Sequence, residues 1–267
     1  MRNTQSKKTL NQTLKTLTVV CLLMFSVSGM AAKRSIYQIK IYTLENAQQE
    51  QGLDKYLKEA FIPAMHRAGI SRVGVFKPVE EDENAGKLMY VFIPFKSIGE
   101  FEKLESKLSS DKQYQADGSD YINAAFDHAP YARIESVLLR AFKSMPEFGV
   151  PTHSTPPSER IYELRSYQGA TEKYYQKKVE MFTDGGESQL FIDLGFQPIF
   201  FGEVISGPVM PNLMYLTTFE NKEAQTKRWD AFQVAPLWQT LKADKQYAHT
   251  VSHIDKSYLH PTDYSDL

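Results

Sequence analysis

The densest run of chemically able side chains is YELRSY, residues 162–167. Read as a strand, it sets Glu163, Arg165 and Tyr167 on one face and Tyr162 and Leu164 on the other. A carboxylate two positions from a guanidinium on one face can form an ion pair. An arginine without such a partner can instead fork onto a ligand carboxylate or polarise a carbonyl. A neighbouring tyrosine adds a flat apolar surface tipped with a hydroxyl. Glu203, in the next apolar segment, is a second acid for Arg165, and His249, in YAHTVSH, titrates near neutral pH and offers a proton carrier. These five residues are the candidate ligand-binding set. A purely structural ion pair is the competing reading, and the residues alone leave both open.

No catalytic residue can be named beyond that. His249 and His253 share parity on an expected last strand, but four strand residues span about 13 Å, too far to share a metal ion. His66 and Arg67 end an expected helix, where cations suit the dipole, and His128 reads as a loop residue. The chain has no G-x-S-x-G elbow and no glycine-rich phosphate loop. The expectation is no metal site and no bound cofactor.

The positions that carry YELRSY have an earlier echo. SIYQIKIYTL at 35–44 matches RIYELRSYQG at 160–169 through Ile36/Ile161, Tyr37/Tyr162, Ile39/Leu164, Lys40/Arg165 and Tyr42/Tyr167, each pair 125 residues apart. Leu88-Met89-Tyr90 and Leu213-Met214-Tyr215 repeat at the same offset, and Tyr131-Ala132 with Tyr247-Ala248 gives a third anchor in the same order. Ordered self-similarity at long period implies an internal duplication. Between the copies, residues 143–158 hold Pro146, Pro151, Pro156, Pro157 and Gly149, which exclude regular helix and central strand and mark a linker. The chain thus divides into 33–142 and 159–267.

Each half reads βαββαβ, the split ferredoxin-like unit of an α+β fold. Strands are expected at 35–43, 70–78, 87–95 and 130–140, then at 160–167, 197–206, 212–220 and 246–255. Helices are expected at 48–68 and at 97–127 with a break near Gly118, then at 170–194 and 221–243. Leu53, Tyr56, Leu57, Ala60 and Phe61 form an apolar stripe at helical spacing. A four-stranded sheet with both helices on one face leaves its other face bare. Two such faces packed sheet to sheet would build an α/β barrel, a pseudo-dimer within one chain. The more apolar face of each first strand is expected to meet the helices. The mixed face, with Glu163, Arg165 and Tyr167, would then look into the barrel.

Residues 1–32 read as a secretory signal: Arg2, Lys7, Lys8 and Lys15 with no acid, an 11-residue apolar run Leu17–Val27, then small residues Gly29 and Ala31. A membrane span needs about 20 apolar residues, so the membrane enters only through this leader, and the expected location is periplasmic or secreted. Cleavage takes the one cysteine with it and leaves 27 basic against 32 acidic residues, a net charge of −5. No disulfide could then form, and nothing favours nucleic acid.

The second half resembles the NIPSNAP family, within the wider group of dimeric α/β-barrel proteins. The resemblance rests on YELRSY at 162–167, GEVISGP at 202–208, NLMYLTTFEN at 212–221, Arg228 and PLWQTL at 236–241, with Gly202, Gly207, Pro208, Tyr215 and Trp238 at the family's positions. The first half is a looser copy, with YQIKIY for YELRSY, PVEEDENAGK for the Gly-Pro hairpin and no tryptophan after its second helix. The resemblance implies the fold and supplies no catalytic set. Two functions follow as expectations. One is a non-catalytic binding or scaffold module with its barrel closed by packed side chains. The other is a cofactor-independent protein that binds or transforms a small apolar or aromatic ligand in the barrel, as a monooxygenase- or isomerase-like enzyme would. Any ligand is expected in the second half, and a homo-oligomer is left open.

Overall fold

The computed structural model describes residues 33–267; the expected leader, 1–32, lies outside them. The first half opens with β1 (Ile36–Thr43), followed by a long helix α1 made of Ala47–Tyr56, a π-helical turn Leu57–Phe61, and Ile62–Arg67. Strands β2 (Gly74–Pro78) and β3 (Leu88–Phe95) come next, then helices α2 (Ile98–Ser110), α3 (Lys112–Asp117) and α4 (Ser119–Ile122), and β4 (Arg133–Ala141). The second half runs β5 (Ile161–Gln168), α5 (Glu172–Thr183), α6 (Glu187–Asp193), β6 (Gln197–Ser206), β7 (Asn212–Phe219), α7 (Lys222–Val234), α8 (Pro236–Ala243) and β8 (His253–Pro261). Asn46, Ser97, Thr171 and Asn221 cap α1, α2, α5 and α7, each side-chain oxygen accepting from the backbone N–H three residues on. The glycine pair between α5 and α6 breaks the helix as its sequence implies: Gly186 sits at φ 85°, a conformation costly for any side chain.

Every strand pairing is antiparallel, and the order β1-β3-β2-β8-β5-β7-β6-β4 closes into one barrel. The halves join edge to edge. Strand β2 meets β8 at Phe76–Pro78, and β4 meets β6 at Leu138–Ala141 across a bulge. The bare faces do come together, but around a shared interior inside one continuous sheet rather than as two stacked sheets.

Register corrects the repeat. Lys40 pairs with Val91, whereas Arg165 pairs with Tyr215. Equivalent positions on β3 and β7 are therefore 124 apart, and the Leu-Met-Tyr match at 125 is out of step by one. A one-residue slip turns a strand residue to the other face. Accordingly Tyr90 packs with the interior cluster and Tyr215 with the helix-side cluster. The Tyr-Ala anchor fails as well: Tyr131-Ala132 directly precedes β4, while Tyr247-Ala248 ends a short turn well before β8.

The interior is filled. Tyr37, Ile39, Phe76, Phe92, Tyr162, Leu164, Phe200 and Leu216 are almost wholly buried in it. The Phe92 and Phe200 rings stack at 5.2 Å, and Phe76 lies 4.7 Å from Tyr162. The proline-rich segment is docked rather than slack. Pro146 O accepts from Ser35 N, Gly149 N donates to Ile199 O, both at 2.8 Å, and Phe148 packs on the interior cluster.

Candidate functional site

Alternation on β5 holds, but its direction is opposite to expectation. Tyr162 and Leu164 point into the barrel, and Tyr167 packs in the layer between the second-half sheet and its helices. Glu163 and Arg165, of the same parity as Tyr167, lie in that layer too. The physical reason is the partners that each layer offers. Apolar and aromatic side chains fill the barrel interior, where the few polar contacts join neutral groups such as the Tyr90 and Ser257 hydroxyls at 3.2 Å, so it takes the apolar face. The helix layer supplies the long polar side chains that buried charges require.

There the sequence-predicted pair is real and saturated. Arg165 Nε donates to Glu163 Oε1 at 2.6 Å. The second carboxylate oxygen accepts from Trp229 Nε1 at 2.6 Å and from Gln225 Nε2 at 2.9 Å. Arg165 also donates to the Tyr167 hydroxyl at 3.2 Å, which shares a 2.9 Å bond with the Tyr215 hydroxyl. The guanidinium carbon lies 3.7 Å from the centre of the Trp229 ring. A second buried pair, Lys178 to Glu187 at 2.7 Å, extends the cluster. Burial pushes the Glu187 carboxyl above its ordinary value, and Lys178 opposes that. Gln225, Trp229, Lys178 and Glu187 were missed in the sequence because they lie on helices, where nothing in the local pattern ties them to β5.

Two expected members do not join. Glu203 sits on β6, which pairs with β7 and β4 and not with β5, and its partner is Arg34 at 2.6 Å. His249 is an exposed turn residue at φ 60°, ahead of β8 and off any strand. His253 opens β8, is exposed, and lies 2.8 Å from Asp255.

The corresponding layer of the first half is different. Lys40 holds the position of Arg165, and Gln38 holds that of Glu163, its amide donating to Ser136 at 2.7 Å. Val91 stands where Tyr215 does. Counting from the caps Ser97 and Asn221, Phe101 answers to Gln225 and the exposed Glu105 to Trp229. Each exchange removes bulk or a partner from the space over Lys40. The result is an open cleft of about 580 Å³ lined by Gln38, Lys40, Phe101, Leu104, Leu108 and Tyr114, with Glu102 and Glu105 also on its wall. Lys40 Nζ stands 5.4 Å from the Phe61 ring centre, in the π-helical turn, and no carboxylate of the described residues forms a salt bridge with it. Burial alone lowers its pKa.

Two other spaces matter less. One barrel mouth holds about 150 Å³ between Ser166, Asn212, Asp255 and Ser257. A cleft of about 760 Å³ beside the β2·β8 seam is walled by loop acids Glu81, Asp82 and Glu159, and its Lys222 lies over its own Tyr258 ring at 4.1 Å.

Residues 162–266 match the family model of NIPSNAP. The barrel is similar to that of a candidate monooxygenase from Lactobacillus acidophilus, with 12% identity, a TM-score of 0.56, and coverage of 85% of this chain and 94% of that one. An anthrone oxidase-like protein gives 10% identity and a TM-score of 0.51, covering 87% and 93%. A NIPSNAP family protein from Agrobacterium tumefaciens is 19% identical across 41% of this chain and 99% of its own, with a TM-score of 0.36. No curated protein matches the chain. At these identities the likeness to the two oxygenase-type structures is one of fold.

Proposed function

Residues 162–266 being a NIPSNAP domain, we propose that the chain is an exported, non-catalytic binding protein for a small molecule. It is built as two tandem ferredoxin-like units, of which 159–267 serves as scaffold and 33–142 as receptor. The observation that carries this reading is the contrast between the two helix layers. The second is closed by Trp229, Tyr215 and two ion pairs, and the first is open by about 580 Å³ beside a lysine that no carboxylate of the described residues pairs. A cleft of this volume, with apolar and aromatic walls, Lys40 at its base and two exposed glutamates on its wall, has the character of a small-molecule site. The packed interior argues against a ligand inside the barrel itself. The oxygenase-type neighbours share only the fold, so oxidation of a substrate is not part of the proposal.

Native mass spectrometry of protein purified from its own cells tests the reading. A co-purifying small molecule is expected, and Glu105→Trp, which restores the indole of the second half, should abolish its retention. A ligand retained equally by that variant would remove the cleft from consideration. Export rests on the leader alone, and N-terminal sequencing should find a start at Ala32 or Lys33.

A further inference from the structure

We infer that the first-half cleft selects a flat, acidic ligand, with Lys40 as its anchor, a specificity that rests on the binding function proposed above. In the second half the cation at this strand position has its acid built in: Glu163 lies two residues away with no exposed surface. In the first half that acid is Gln38, and the amide is engaged by Ser136. A partly buried ammonium with no counter-charge is an unfavourable arrangement on its own. An occupant that brings a carboxylate, sulfonate or enolate completes the pair that Glu163 completes for Arg165.

The shape of the occupant follows from what is absent. Trp229 fills the second-half layer with an indole stacked on Arg165, and Glu105 at the equivalent site is turned to solvent. The volume released over Lys40 is thus that of a planar ring system. Its walls are Phe101, Leu104, Leu108 and Tyr114, with the Tyr114 hydroxyl already spent on Tyr56 at 2.7 Å. Rings offer favourable edge and face contacts to another ring. Glu102 and Glu105 are exposed and keep their hydration, so their repulsion of an anionic occupant acts through high-dielectric water and is weak beside a desolvated contact. They leave Lys40 as the one charge of the cleft that an occupant must desolvate.

Two fluorescent probes of nearly equal shape test this on the full chain. Anilinonaphthalene sulfonate is anionic and phenylnaphthylamine is neutral. The anion should bind about tenfold tighter than the neutral probe, the size of one charge-assisted hydrogen bond. Lys40→Met and, separately, Gln38→Glu should each remove that advantage and leave the neutral probe unchanged. Glu105→Trp should weaken both. If Lys40→Met, with an unchanged circular dichroism spectrum, binds the anion as tightly as before, the acidic specificity is wrong. If Glu105→Trp leaves both probes bound as in the parent, the cleft is not the site and the binding proposal falls with it. Because Lys40→Met deletes an unpaired charge, it should melt no lower than the parent. Should it nonetheless misfold, Gln38→Glu, which adds a partner and removes nothing apolar, decides between the same outcomes.

Discussion

Trp229 donates to Glu163 and stacks on Arg165, so one indole holds both members of an ion pair that has been withdrawn from water. Removing the ring opens a void and leaves a carboxylate oxygen with a single donor, Gln225. Trp229→Ala should therefore cost about 3 kcal/mol, and Trp229→Phe, which keeps most of the packing, about 1–2 kcal/mol. Urea denaturation of the two variants measures both.

Breaking the pair from the other side should be worse than deleting it. Arg165→Met leaves Glu163, fully buried, without a counter-ion, and a loss of about 3–5 kcal/mol is expected. Adding Glu163→Gln to that variant should restore most of the loss, since both charges are then gone. Melting of the single and double variants checks this, and an additive result would mean that the two side chains are not coupled.

How much of the molecule was legible in the sequence is clearest on β5. The alternation of Glu163, Arg165 and Tyr167 against Tyr162 and Leu164 was readable, and so was the ion pair. The direction of the face was not, because it depends on which of two layers supplies partners for buried charges, here Gln225 and Trp229 on a distant helix, a property of the whole fold and not of the strand. The doubled strand-helix pattern was readable. Leu88-Met89-Tyr90 nevertheless misaligned by one residue, since identity of letters says nothing of which ladder partner each residue faces. The open cleft was hidden by a different bias. The fuller motif set sits in the second half, and the cleft is created by residues that are missing from the first.

Acid should loosen the chain through His153. Its side chain has no exposed surface, and neither ring nitrogen has a hydrogen-bond partner among the described residues. Burial lowers its pKa below the ordinary 6.5; Glu220, 3.5 Å away, opposes this, while Arg160 and Arg228 reinforce it. The folded chain thus holds the proton less well than the unfolded one. Stability from this group is complete above pH 6.5 and declines as the pH falls below it. His153→Phe should flatten that part of the profile. The Glu220 carboxyl, depressed by Arg228, contributes separately as the pH falls below its ordinary value of 4.5. Melting temperature against pH for the two chains resolves the windows.

Neither half should stand alone. Residues 159–267 without the rest expose the β8 edge that β2 covers and the β6 edge that β4 covers. They also expose the inner faces of Tyr162, Leu164 and Phe200. Sedimentation of that fragment should show a dimer or larger species, driven by unpaired edges and apolar surface. A stable monomer would mean that neither β2 nor β4 is needed to close the second-half sheet.

The seams carry a further consequence. In a barrel assembled from two identical subunits, symmetry makes the two joins identical, and any substitution is made twice. In this chain the joins differ: β2 meets β8 at Phe76–Pro78 without irregularity, and β4 meets β6 through a bulge. One covalent chain lets each half acquire a change that its counterpart does not share. That freedom is what permits one half to fill its helix layer with Trp229 while the other has the exposed Glu105 at the equivalent position. In a symmetric pair the same exchange would open both layers at once, and no closed layer would remain to brace the open one.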